Sequence, residues 1–493
     1  MSTLLLPVQQ VLQPKLPTIE GHVDYRRLRD QLSRINELLL HSGLEEQFIA
    51  QSFEEWAARS KFRNIGAKAQ RKIQIHARRA LRCNIARTLM MEDYRDFAIR
   101  LADSPLFQQF CGLAQLGSIQ VPAKSTLQRY SQWTPVGLVN QLINRLTQEG
   151  HLNSDKLGLK DRLDLEAAYL DCTCIKANIH YPVDWVLLRD ATRTLMKRVI
   201  LIRAQGLRQR MEAPEQFLKR MNALCIQMTH ARGEKQSKKQ RKKLLRAMDK
   251  LVKKIAEHAR RYRKILEQDW EKTNWTRGRS DYMLRGLDNI LDQLPEARRQ
   301  ARERIIGEQQ VPSKDKILSL YEPDVQVIVR KKAGAEVEFG NTLLVSESQQ
   351  GIILDWELFK DVAPRDSRML SACLKRTEEN LDIHIRAAGA DRGFDSKSNR
   401  ECLEKRKTYN AITPLDPRTL KKRQKSWKFK RHQRRRAQSE GRIGILKNRF
   451  LGRPLRNKGF PSRELAVSWA MLTHNLWVMA RLPQGEQQRR QAA

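Results

Sequence analysis

The chain has 493 residues, room for two to four units at about 150 residues per domain, and its 40% hydrophobic content excludes a disordered basic tail. Against 55 Asp and Glu stand 94 Lys and Arg, a net charge of +39, which excludes an ordinary neutral metabolic enzyme and points to a polyanion, nucleic acid ahead of an anionic membrane surface. No apolar run nears the roughly 18–20 residues of a membrane span and no signal-peptide pattern is present, so the expectation is a cytoplasmic protein with no membrane partner.

Residues 1–20 carry little periodicity and read as a loose lead-in. From Asp24 the apolar residues recur at helical spacing, with Leu28, Leu32, Ile35 and Leu39 at steps of four, three and four. Further helices are predicted over about 45–60, 66–90 and 92–116, inside an all-α N-terminal domain, 21–150. The stretch Val121–Tyr130 (VPAKSTLQRY) begins with a proline, offers Ser125 as a cap and ends basic and aromatic. That suits a short DNA-binding helix with Lys124 and Arg129 near phosphate, and equally a bundle with a solvated basic face.

At Leu165 the pattern changes. Leu165–Ile179 (LEAAYLDCTCIKANI) is apolar and partly alternating, a strand within 160–185. From 186 to 311 the chain turns helical and very basic: residues 231–265 hold 15 Lys and Arg against 3 Asp and Glu. In this insertion Leu244, Met248, Leu251, Ile255, Ala259, Tyr262 and Leu266 make a near-heptad stripe. A solvated helical pair and a DNA-contacting arm are both compatible with it. Trp270, Trp275 and Tyr282, interleaved with Lys272, Arg277 and Arg279, suit either core packing or stacking on an unpaired base.

After Val311 strands return, at 325–332, 337–348 and 351–359, followed by a helix at 366–380, a strand at 383–391, a helix at 396–406 and a strand at 409–415. Helices at 434–451 and 462–480 close the segment 312–480, and 481–493 reads as a flexible tail. Without the insertion this order is that of an α/β fold with a ribonuclease-H-like mixed sheet flanked by helices, interrupted by the long helical insertion. Residues 415–457 carry 16 Lys and Arg against Asp416 and Glu440, with Trp427 and Phe429 among them: a phosphate-tracking segment or a solvated linker.

Three carboxylates stand out. Asp171 lies inside the first strand, and Asp391 closes a later one right after Ala387, Ala388, Gly389 and Ala390. An acid within an apolar strand is costly to desolvate unless it is paired or meets a cation, although an edge position or a strand-end turn accounts for either alone. Glu440 is the third, and a continuous helix there would put Arg436, Glu440 and Lys447 near one face. Asp184, Asp355, Asp366 and Asp395 read as loop, turn or cap acids. The cysteines are seven, scattered and odd in number, so no disulfide framework is expected, and Cys172 and Cys174 read as packing residues rather than metal ligands.

The blocks DCTCIKANIHYP, EFGNTLLVSE, GADRGFDS and RAQSEGRIGILKNRF resemble the signature blocks of bacterial insertion-sequence transposases of the DDE class. The likeness is to the group with the pattern Tyr-x2-Arg-x3-Glu-x6-Lys, and the insertion suggests an ISNCY-like member. Arg436, Glu440 and Lys447 fill that pattern, while Gln433 stands where the group has tyrosine. The helical stretch from Ala86 to Leu113 also resembles the N-terminal domain of these proteins, so the resemblance covers most of the chain outside 186–311.

The resemblance implies that Asp171, Asp391 and Glu440 bind two Mg²⁺ (or Mn²⁺) ions for cleavage of transposon ends and strand transfer. It further implies that Arg436, Lys447 and the neighbouring Arg434, Arg435 and Arg442 contact phosphates of double-stranded DNA, both terminal inverted repeats and target. A homodimer in the DNA complex is expected, because two ends must meet. Two rivals remain at this stage: a ribonuclease-H-like nuclease that hydrolyses without joining, and a non-catalytic nucleic-acid-binding protein or degenerate transposase.

Overall fold

A computed structural model describes residues 16–59, 66–114, 117, 119–231, 237–332 and 335–485. In chain order come helices α1 (Val23–His41), α2 (Leu44–Arg59), α3 (Ala67–Met90), α4 (Tyr94–Asp103), α5 (Pro105–Phe110), α6 (Lys124–Ser131) and α7 (Val136–Leu152), then strand β1 (Ala167–Lys176). Helices α8 (Asp184–Ala204), α9 (Pro214–His230), α10 (Ser237–Asp269) and α11 (Arg277–Ile305) follow, then β2 (Gln326–Lys332), β3 (Ala335–Glu347) and β4 (Ile353–Leu358). The remainder is α12 (Leu370–Leu381), β5 (Ala387–Ala390), α13 (Lys397–Lys405), β6 (Tyr409–Asn410), α14 (Pro417–Arg423), α15 (Trp427–Ala437), α16 (Ser439–Leu446), a π-helical turn Lys447–Leu451 and α17 (Phe460–Met479). The fold is α/β, with an open mixed sheet in the order β2-β3-β1-β5-β6, β4 pairing with β3, flanked by helices.

The chain divides into two compact units, one of residues 1–176, 342–359 and 363–493, the other of 177–341 and 360–362. In the first, β1 and β5 are parallel, Ala168 opposite Ala388 and Leu170 opposite Ala390, while β4 runs antiparallel to β3. Helix α17 is apolar on nearly every face and accordingly lies at the centre, where Asn475 accepts from Ile353 N (2.8 Å) and donates to Ile353 O (2.9 Å) on β4. The N-terminal helices are not a domain of their own. They share this core: Trp469 of α17 donates to Ser131 O (3.2 Å), its ring 6.0 Å from that of Phe48. Arg82, fully buried in α3, is held by Glu45 (2.6 Å), Asn36 (2.7 Å) and Phe110 O (3.0 Å).

Local differences from the sequence reading have identifiable causes. The helix expected over 92–116 is two, because Ser104 caps a new start with Pro105 in its first turn. Helix α6 begins at Lys124 behind Ala123, so Ser125 is not its cap; Lys124 and Arg129 are exposed on it. The lead-in is described only from Leu16, which is buried. Residues 481–485 are tied down rather than loose, since Lys160 N donates to Pro483 O (2.9 Å) and Gln484 bridges to Leu159; 486–493 lie outside the described residues.

The second unit is larger than the 186–311 insertion, running from Ala177 and including the β2–β3 hairpin, where Val327 faces Phe339. Its helices α8 to α11 enclose a core of their own. On α10 the stripe Leu244, Met248, Ile255, Ala259, Tyr262 and Leu266 is buried, so the basic faces point outward. Trp270 and Trp275 pack against that core, while Tyr282 is exposed between Arg198 and Arg279, 5.2 and 5.5 Å from its ring centre. Asp184 is taken up by Arg304 (2.8 Å) and Gln300 (2.8 Å). Among the described residues no helix is long and apolar enough to cross a membrane.

Candidate carboxylate site

The pairing of β1 with β5 places the first two acids. Leu170 stands opposite Ala390, so Asp171 and Asp391 come next on neighbouring parallel strands, which run about 4.8 Å apart. The small residues of β5 are all buried and allow this approach: a Cβ on Gly389 would sit 2.9 Å from the Tyr169 ring on β1. Beyond the strand, Asp391 Oδ1 accepts the Gly393 N–H (2.9 Å) and caps the short 3-10 turn Arg392–Phe394.

Asp171 is largely buried. Burial pushes its carboxyl up to about 6; the Cys172 N–H (2.7 Å) pulls it back, the negative charges of Asp391 and Glu440 raise it again, and Arg436 lowers it. Glu440 itself is exposed, in the first turn of α16, which packs against β1. Among the described residues no three His, Cys, Asp or Glu side chains are gathered in a ready metal-holding geometry. The donor set is hard oxygen throughout, the chemistry that suits Mg²⁺ or Mn²⁺.

The expected single helix over 434–451 is broken. Helix α15 ends at Ala437, α16 starts at Ser439, and the last turn widens to a π-helix from Lys447. Arg436, Glu440 and Lys447 thus lie on three successive pieces, not along one face. Lys447, read as a phosphate contact, is buried and donates from Nζ to Thr173 Oγ1 (3.0 Å) on β1. Arg435 is also buried: it pairs with Glu347 (2.8 Å) and donates to Ser348 O (2.6 Å) and Gln349 O (2.8 Å). Half-buried Arg442 donates to Gln350 O (2.9 Å). Arg436 is half-buried and Arg434 is exposed.

Three residues that sequence reasoning passed over complete the support. Tyr169, two positions before Asp171 and so on the same face of β1, lies 2.8 Å from both Gln349 Oε1 and His432 Nδ1. Burial, then Arg431 and Lys428, hold the His432 imidazole below its ordinary pKa, favouring the neutral ring. Gln433, at the tyrosine position of the signature, is used internally, donating to Ala411 O (2.8 Å) and accepting from Thr413 (3.0 Å). No spacing signal marks these contacts, because their partners are distant in sequence.

Around the site, Cys172 Sγ lies 3.6 Å from Met369 Sδ, Cys174 is buried, and none of the seven cysteines is in a disulfide. Asp355 meets Arg376 (2.8 Å), and Asp395 meets Arg400 (2.6 Å). The basic segment after Leu415 is helical, with Phe429 buried and Trp427 exposed. The glycines Gly441 and Gly444 face open space rather than the sheet. They border a groove of about 680 Å³ lined also by Met90, Met91, Ile445 and Trp477. Compared with known protein families, with curated proteins and with solved structures, the chain matches none.

Proposed function

We propose that this protein is a DNA transposase of the DDE type, cleaving transposon ends and joining them to target DNA. The observation that carries the reading is the strand register that brings Asp171 and Asp391 just beyond the paired residues of neighbouring parallel strands, with α16, which bears Glu440 in its first turn, packed against β1, on a protein of net charge +39. The order β4-β3-β1-β5-β6, with two of the acids at adjacent parallel strands and the third on a flanking helix, supports a ribonuclease-H-like core.

Asp171, Asp391 and Glu440 would hold the divalent ions, which supply Lewis-acid activation of the attacking oxygen and stabilisation of the departing one. The chain's own groups do the rest. Half-buried Asp171 would offer one ligand from within a strand, and exposed Glu440 would offer another from the solvent side. Arg436 supplies a cation beside the acids, suited to a phosphate oxygen. Lys124, Arg129 and Arg434, exposed, suit backbone contacts that position DNA without reading bases. Work on two transposon ends calls for a dimer on DNA, in the cytoplasm of a bacterial cell.

The test is a strand-transfer assay with pre-cleaved ends and Mg²⁺. Joined products support a transposase, whereas shortened strands alone indicate a nuclease of the same fold. Asp171→Asn, Asp391→Asn and Glu440→Gln should each abolish cleavage and leave DNA binding intact; full cutting by any of them overturns the site.

A further inference from the structure

We propose that the unit built on residues 177–341 carries a phosphate-binding pocket of its own, which takes a phosphodiester of the DNA backbone. The proposal goes beyond the transposase reading, because it requires a nucleic acid partner and no catalysis. The pocket encloses about 710 Å³. Its walls include Arg241 on α10, Arg304 near the end of α11, Lys316 beyond it and Asp184 at the start of α8. Ligand sites span about 300–1,000 Å³, so a phosphate with its flanking sugars has room here.

Charge within the pocket is unbalanced. Arg304 clamps Asp184 through two hydrogen bonds of 2.8 Å, and Gln300 adds a third of 2.8 Å. Arg241 and Lys316 have no carboxylate partner among the described residues. Arg241 Nε is enclosed and has no acceptor at all. Buried donors are paired as a rule, and an orphaned one on a pocket wall points to an acceptor that the chain itself does not supply. Residues beside the pocket repeat the excess: Glu308 is shared between Lys238 (3.1 Å) and Lys242 (2.8 Å).

A guanidinium and an ammonium lining one space suit phosphate oxygens, the first as a fork and the second as a point charge. Among the described residues no aromatic side chain lines the pocket. Stacking of an unpaired base is therefore not what it offers, and the sugar–phosphate strand is the better match.

Duplex DNA binding by the full chain, followed by fluorescence anisotropy over a series of salt concentrations, tests this. Arg241→Met should lower the log–log salt slope by about 0.9, the share of one phosphate. Adding Lys316→Met should lower it little further, because both cations hold that phosphate. Lys250→Gln, an exposed cation of α10, should instead add its own effect in full. The urea midpoint of Arg241→Met should stay at the wild-type value, since no carboxylate is stranded.

An unchanged slope in Arg241→Met, or losses in Arg241→Met and Lys316→Met that simply add, overturn the pocket. Calorimetry with inorganic phosphate is the second arm. Arg241-dependent binding of that ion, with duplex affinity unchanged in the variants, assigns the pocket to a free anion and overturns the DNA backbone as its ligand. Absence of strand transfer with the slope change intact removes the transposase reading and leaves the pocket standing.

Discussion

Lys447 and Thr173, 274 positions apart in sequence, are joined by a buried 3.0 Å hydrogen bond from ammonium to hydroxyl. The bond ties the π-turn that follows α16 to β1, two residues along from Asp171, so the helix bearing Glu440 is fastened at its far end. Thr173→Val keeps the shape and removes the acceptor. It should destabilise the chain by about 1.5–3 kcal/mol, as for hydrogen bonds to charged groups, seen as a lower urea midpoint. A neutral effect would mean that the contact does not hold the helix.

The pH dependence of stability should carry the mark of Asp171. Its carboxyl lies at about 6 in the folded chain against an ordinary 3.8, mainly through burial. Between those values the folded chain keeps a proton that the unfolded chain has released, so this group's contribution falls as pH rises through the window. Above pH 6 the deficit is complete, at most about 3 kcal/mol. Asp171→Asn should therefore be more stable than wild type at pH 8 in EDTA, with the gap closing toward pH 4. Urea unfolding across that range measures it, and a gap of opposite sign or independent of pH refutes the burial argument.

Much of this was legible in the residues. The stripe from Leu244 to Leu266 gave a buried helix face, and the run Ala387 to Ala390 ahead of Asp391 gave a close-packed strand end. What was hidden is direction. Arg434 and Arg435 look alike in a basic run, and only Glu347, folded in from 88 residues away, draws the second inside. The break at Gln438 carries no Gly or Pro; it lies between Arg435 and Arg442, both of which anchor on the turn at 348–350. Shared cores are equally silent: nothing local in α1 to α7 announces that Trp469 packs among them.

Gly351 is required where it stands. Its φ of +87° is left-handed, and a Cβ there would run into the guanidinium of Arg442, which donates to Gln350 O. Gly351→Ala combines backbone strain of about 1–2 kcal/mol with displacement of that anchor. The expected result is a lower thermal midpoint together with weaker cleavage, since α16 carries both Arg442 and Glu440. Wild-type stability in this variant would show that the turn yields without strain.

Adjacent arginines should behave as opposites. Arg434→Ala removes an exposed cation with no buried partner to strand, so stability should stay within about 0.5 kcal/mol. On DNA it should reduce the log–log salt slope by about 0.9 if it neutralises one phosphate. Arg435→Met instead leaves Glu347, buried at 3% exposure, with only the longer 3.8 Å pairing to Arg442, a loss that approaches the about 3–5 kcal/mol of a broken buried pair. Glu347→Gln should partly relieve it, so the double variant is less damaged than the sum of the singles. Urea unfolding with DNA titrations at several salt concentrations separates the two roles. A salt-slope change in folded Arg435→Met equal to that of Arg434→Ala would show that Arg435 leaves its pocket to meet DNA.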